Sequence, residues 1–108
     1  MRRGDIYRVR QPPGGDPKKS RCFVVVSRQT LLDSKINRVI CAPVNTTDAG
    51  LMTEVHVGVD EGLKHASCIN CDQLTRLDKA ALTDYVGTLS AKKLREVRAA
   101  LVTALDLD

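Results

Sequence analysis

The chain has 108 residues, 43% of them apolar, with Tyr7, Tyr85 and Phe23 as its aromatics and no Trp. That length predicts a single domain over 1–108, able to bury roughly 60–70% of its unfolded surface around an aliphatic core. No run of eighteen apolar residues occurs and "MRRGDIYRV" lacks the apolar stretch of a secretory leader, so a cytoplasmic chain with no membrane partner is expected. The net charge of +4 is uneven: residues 1–40 hold ten Lys/Arg against three Asp/Glu, residues 41–108 seven against ten. A basic amino-terminal part suits a polyanion, nucleic acid being the commonest, although a merely solvated surface has the same composition.

In chain order, "DIYRVR" (5–10) alternates apolar and polar and reads as a strand with one buried face. "QPPGGDPKKS" (11–20), with three prolines and two glycines, reads as a connection. "RCFVVVS" (21–27) is β-branched and apolar on both faces, as a central strand is. A turn-rich link (28–37) precedes a second buried strand, "RVICAPV" (38–44), with Pro43 marking a bulge or an exit from the ladder. After the loop "NTTDAG" come an alternating strand "TEVHVGV" (53–59), the turn "DEG", and a long bent strand "ASCINCDQLTRL" (66–77). From "KAAL" onward the pattern is helical: Leu94, Val97, Leu101 and Leu105 form one stripe, with Ser90 as N-cap. Five strands and one amphipathic helix predict a mainly β fold, a curled antiparallel sheet or partly open barrel plugged by a carboxy-terminal helix.

Most familiar chemistries are excluded by what the chain lacks. Cys68-x-x-Cys71 is a lone pair inside a strand-like run, where residues three apart face opposite ways, so neither a zinc site nor a redox pair is expected. Cys22, Cys41 and Cys68 lie in apolar runs and, without an export signal, the four cysteines are expected to be reduced. There is no G-x-S-x-G and no phosphate loop. His56 reads as a solvent-facing strand residue, and His65 sits where a turn meets a strand, suited to a local hydrogen bond. Arg21 and the stretch "APVNTTDAG" remain. If strands 21–27 and 38–44 pair antiparallel, Arg21 meets Asn45 and Thr46 at one end of the sheet. A guanidinium converging with an amide and a hydroxyl can grip a phosphodiester; a salt-bridged edge arginine is the alternative.

The segments "RRGDIY", "RCFVVVS", "VICAPVNTT", "TEVHVG", "GLKHASCINCDQLTRLDK" and "VGTLSAKKLREVRAAL" follow one another in the order of MazF/PemK/Kid-type toxins, which the chain resembles over roughly residues 2–107. The resemblance implies an SH3-like, barrel-like (CcdB/PemK-like) fold with a long carboxy-terminal helix. It also implies a homodimer whose groove takes single-stranded RNA, and a MazE-like antitoxin that neutralises it. The implied activity is endoribonuclease cleavage without metal or cofactor: the 2′-hydroxyl attacks phosphorus, leaving a 2′,3′-cyclic phosphate and a 5′-hydroxyl.

The same resemblance assigns roles. Arg21 matches the family's catalytic arginine, with Cys22 in place of the usual following proline. The catalytic threonine aligns with Asn45, one position before Thr46, so either Thr46 supplies the hydroxyl, the favoured reading, or Asn45 supplies an amide. In the "R-C-D-Q" pattern Asn70 replaces the arginine while Cys71, Asp72 and Gln73 match, which leaves more of the work to Arg21. Lys18, Lys19, Arg28, Asn70, Asp72 and Gln73 are the expected RNA contacts, and Gly4–Asp5 a structural turn. Base selection is expected from loops around 11–20, 28–37 and 47–52. A CcdB-like gyrase poison is the rival reading, weakened by the ending "ALDLD", which lacks a large aromatic. A noncatalytic RNA-binding module of the same fold is the other.

Overall fold

Two strands apolar on both faces require a sheet covered on both sides, and that requirement organises the molecule. The computed structural model describes residues 1–10 and 20–108. Its elements are β1 (Asp5–Arg10), β2 (Ser20–Val25), the single-turn helix α1 (Gln29–Leu32), β3 (Arg38–Asn45), β4 (Glu54–Val57), β5 (Ser67–Asn70), β6 (Thr75–Asp78), β7 (Asp84–Thr88) and α2 (Ala91–Ala104). The strands pair antiparallel in the order β4-β5-β3-β2-β1-β7, with β6 also on β3. The result is a curled antiparallel half-barrel with a carboxy-terminal helix, the class expected from the sequence.

Alternation along β1 and β2 sends successive side chains to two separate cores. Ile6, Val24, Ala42, Val44 and Ile69 pack with Val97 and Ala100 of α2 on one face. Tyr7, Val9, Phe23, Val25, Val39 and Cys41 pack with Leu32, Leu77 and Leu82 on the other. Each large side chain so buried contributes about 1.5–3 kcal/mol. Tyr85 meets Tyr7 edge-on, with ring centroids 5.8 Å apart and planes at 76°.

β3 is the pivot between partners. Through Cys41 its outer edge pairs with β6, and from Val44 it pairs with β5. Pro43 sits at the changeover while still opposite Phe23 of β2, so the strand runs on to Asn45 and only its outer partner changes. A residue without an N–H belongs at such a gap. The expected long strand at 66–77 accordingly divides into β5 and β6 around a turn. At the far end of β2, Val26 N and Ser27 N both donate to Ile40 O, at 3.0 and 3.2 Å, closing the ladder in a bulge.

The region after residue 78 departs from the helical expectation. A 3₁₀ turn, Lys79–Ala81, leads into β7, which covers the free edge of β1. Helix begins only at Ala91, where Ser90 Oγ accepts from Lys93 N at 3.2 Å, the N-cap read from the sequence. Leu105 leaves the predicted stripe: the helix has ended and the side chain is 52% exposed. Asp106 adopts φ +53°, and Leu107 N and Asp106 N return to Val102 O and Thr103 O, the paired bonds of a left-handed helix stop. Gly4 is structural, as expected: at φ +95° it donates to Val25 O at 2.8 Å, and a Cβ there would stand 2.8 Å from the Leu94 side chain.

Candidate active site

Arg21 is the second residue of β2 and Asn45 the last of β3. The register Phe23 opposite Pro43, continued two residues, sets Arg21 level with Asn45, and directly opposed residues share a face. Arg21 Nη2 donates to Asn45 Oδ1. Arg21 and the following Thr46 are exposed and Asn45 is half-buried. The ion pairs among the described residues are Arg38–Asp78 and Lys93–Glu96, and His56 Nε2 lies 3.4 Å from Asp48 Oδ2; none of these contacts engages Arg21. An amide acceptor orients a guanidinium without neutralising it, so the charge stays available to an anion. That arrangement argues against the salt-bridged edge arginine and for an anion grip.

The remaining expected contacts divide. Asn70 is two residues beyond Cys68, which is opposite Asn45, so Asn70 shares the face of Arg21 and Asn45. Its side chain is engaged locally, Oδ1 accepting from Asp72 N at 2.9 Å. Asp72 Oδ2 accepts from Thr53 Oγ1 at 2.5 Å, which ties the turn after β5 to the start of β4. Gln73 is exposed beside them. Arg28 lies past the opposite end of β2, its backbone carbonyl opening α1, so the sheet does not bring it to Arg21. Lys18 and Lys19 lie outside the described residues.

The four cysteines are free thiols. Burial pushes Cys41 up to about 12, and burial, then the nearby Asp72, pushes Cys71 up to about 11. Cys68 and Cys22 are also raised, chiefly by burial. A raised thiol is a poor nucleophile, so cysteine chemistry has no part in this site. Cys71 packs in the α2-side core while Cys68 faces the other way, toward His56, the opposition their spacing predicts. His65 contributes its backbone carbonyl, which accepts from Ser67 Oγ at 3.0 Å.

The family described as "PemK-like, MazF-like toxin of type II toxin-antitoxin system" matches residues 2–105. The chain belongs to that family. Endoribonuclease MazF3 of Mycobacterium tuberculosis (strain H37Rv) is 32% identical over 90 residues, spanning 83% of this chain and 86% of the relative. Endoribonuclease MazF6 of the same strain is 31% identical over 110 residues, spanning 97% and 96%. A solved structure, "Endoribonuclease in complex with its cognate antitoxin from Mycobacterial species", superposes with a TM-score of 0.85 at 26% identity, over 98% of this chain and 95% of that one.

Within this toxin family member, sequence reasoning passed over one cluster on the same face as Arg21: Asp48, His56 and Cys68. Alternation in "TEVHV" correctly set His56 on the outer face, where its side chain is 70% exposed. Its neighbours come from a loop and another strand, and no local pattern announces such a meeting.

Proposed function

We propose that the protein is an endoribonuclease toxin that cleaves single-stranded RNA by internal attack of a 2′-hydroxyl, acts as a homodimer, and is neutralised by an antitoxin. The observation that carries this reading is the exposed Arg21 guanidinium, held by Asn45 with no ion-pair partner among the described residues and with the Thr46 hydroxyl next in the chain. In-line attack builds negative charge on the nonbridging oxygens, and a planar cationic fork with two parallel donors matches that charge. Asn45 positions Arg21 and offers its own amide protons, while Thr46 Oγ donates to a phosphoryl oxygen. As the P–O5′ bond breaks, a proton must reach the 5′-oxygen, and the products are a 2′,3′-cyclic phosphate and a 5′-hydroxyl. Because an arginine guanidinium parts reluctantly with its proton, any donation by Arg21 is concerted with bond breaking.

The basic amino-terminal part, +7 over residues 1–40, supports the polyanion substrate and also an acidic antitoxin segment that folds as it binds. Lys18, Lys19, Asn70 and Gln73 are assigned to RNA contact, with Asp72 holding the turn that presents Asn70 and Gln73. Among the described residues no helix is long and apolar enough to cross a membrane, so a membrane role has no support there.

The test is incubation of the purified protein with a long single-stranded transcript in the presence of EDTA. Cleavage at short defined sequences with 5′-hydroxyl ends is expected, and Arg21→Ala is expected to lose it while retaining wild-type circular dichroism. Wild-type cleavage by Arg21→Ala overturns the site. Binding without 5′-hydroxyl product makes the protein a noncatalytic module instead.

A further inference from the structure

Beyond Asn45 the cross-strand row continues. Asn45 stands opposite Cys68 of β5, and Cys68 opposite His56 of β4, so the pleat turns all three to one face. Cys68 Sγ lies 3.4 Å from His56 Nδ1, and His56 Nε2 lies 3.4 Å from Asp48 Oδ2. One ligand atom from each of the three falls within 4.8 Å of the other two. We propose that Asp48, His56 and Cys68 form a binding site for a divalent transition-metal ion of the zinc class, distinct from the Arg21–Asn45 pair.

The donor set is the first reason. Thiolate, imidazole and carboxylate are the three side-chain donors that zinc takes, and three protein ligands leave a fourth position for water. The second reason is spacing. Bonds of about 2.3 Å to sulfur and 2.0 Å to nitrogen, opened to a tetrahedral angle, set the two ligands about 3.5 Å apart. The sulfur and Nδ1 already stand at 3.4 Å, carried on paired strands rather than on mobile segments. The third is charge: the carboxylates of Asp48 and Glu54 act on the Cys68 position and favour a cation there. Binding replaces the thiol proton: the S–H bond breaks, an S–metal bond forms, and one H⁺ passes to solvent for each ion bound.

Asp48 supplies the third donor from an exposed position in the loop that follows β3. Asp48 Oδ2 lies 3.4 Å from His56 Nε2, so the carboxylate already stands beside the imidazole with which it would hold the ion. Ligation therefore fastens the loop carrying Thr46 and Asp48 to β4 and β5.

The experiment uses the full-length, reduced, chelator-stripped protein titrated with Co²⁺ as a spectroscopic stand-in for zinc, followed by displacement with Zn²⁺. A stoichiometric near-ultraviolet thiolate-to-cobalt charge-transfer band, visible bands of tetrahedral cobalt and release of one proton per ion are expected. Cys68→Ala abolishes the charge-transfer band, His56→Ala weakens binding at least 100-fold, and Asp48→Asn weakens it 10- to 100-fold. Cys22→Ser keeps the full signal. Absence of the band at stoichiometric cobalt overturns the site, as does a band that survives in Cys68→Ala. The outcome is separable from the endoribonuclease reading, because RNA cleavage is expected to persist in EDTA whether or not the band appears.

Discussion

Arg21 could be singled out from the sequence because an arginine at the mouth of an apolar run has no packing reason to be there. Its partner followed from one assumption, that β2 and β3 pair antiparallel, and the register bears that assumption out. The division of labour between Asn45 and Thr46 was not legible, since the two polar residues are adjacent in the chain and only the register says which one Arg21 meets. With Asn45 placed on Arg21, the two positions make different predictions. Thr46→Val keeps the shape and removes a donor to the developing charge, so kcat should fall about 10²–10³-fold with KM little changed. Asn45→Ala loosens the guanidinium by one hydrogen bond of about 1–1.5 kcal/mol, so a fall of about tenfold is expected. Steady-state cleavage of a short fluorogenic oligoribonucleotide measures both. A larger loss for Asn45→Ala than for Thr46→Val would exchange the two roles.

Among the elements, the two-faced strands were the easiest to read, because β-branched runs covered on both sides carry their own signature. β7 was hidden for the opposite reason. "DYVGT" is short, half-exposed and followed at once by a strong leucine stripe, so the helical pattern absorbed it. What places the strand is tertiary: the free edge of β1 requires a partner, and Gly87 lets the 3₁₀ turn Val59–Glu61 approach. A Cβ at Gly87 would stand 2.1 Å from Glu61 O, and one at Gly62, on the other side of the contact, 2.4 Å from Val86 O. Backbone atoms cannot swing aside as side chains do. Gly87→Ala should therefore cost at least about 1–3 kcal/mol, the range of overpacking, and lift β7 from β1. Urea unfolding should show a lower midpoint with an unchanged slope. An unaltered midpoint would mean that the turn and the strand are not in contact.

Across the whole molecule the sheet separates two cores, and a buried thiol sits in each: Cys71 beside α2, and Cys41 on the face with Phe23 and Leu77. These thiols give each core its own titratable reporter. Burial favours the neutral form, so folded Cys41 holds its proton to about 12 and folded Cys71 to about 11, against an ordinary 9.0. Below pH 9 the folded and unfolded chains both bind these protons, and the stabilisation is fully present. Between pH 9 and those raised values the unfolded chain has released protons that the folded chain keeps, so stability falls as pH rises, by at most about 1.4 kcal/mol per pH unit for each thiol. Unfolding in urea with reductant at pH 7, 9 and 10.5 should show a flat segment and then a decline. Cys41→Val removes one titration while keeping an apolar side chain in place. Its midpoint at pH 7 reports packing alone, whereas its decline above pH 9 should be shallower than that of the wild type. Equal declines would mean that water reaches Cys41, and the face of the sheet bearing Phe23 would then not be a closed core.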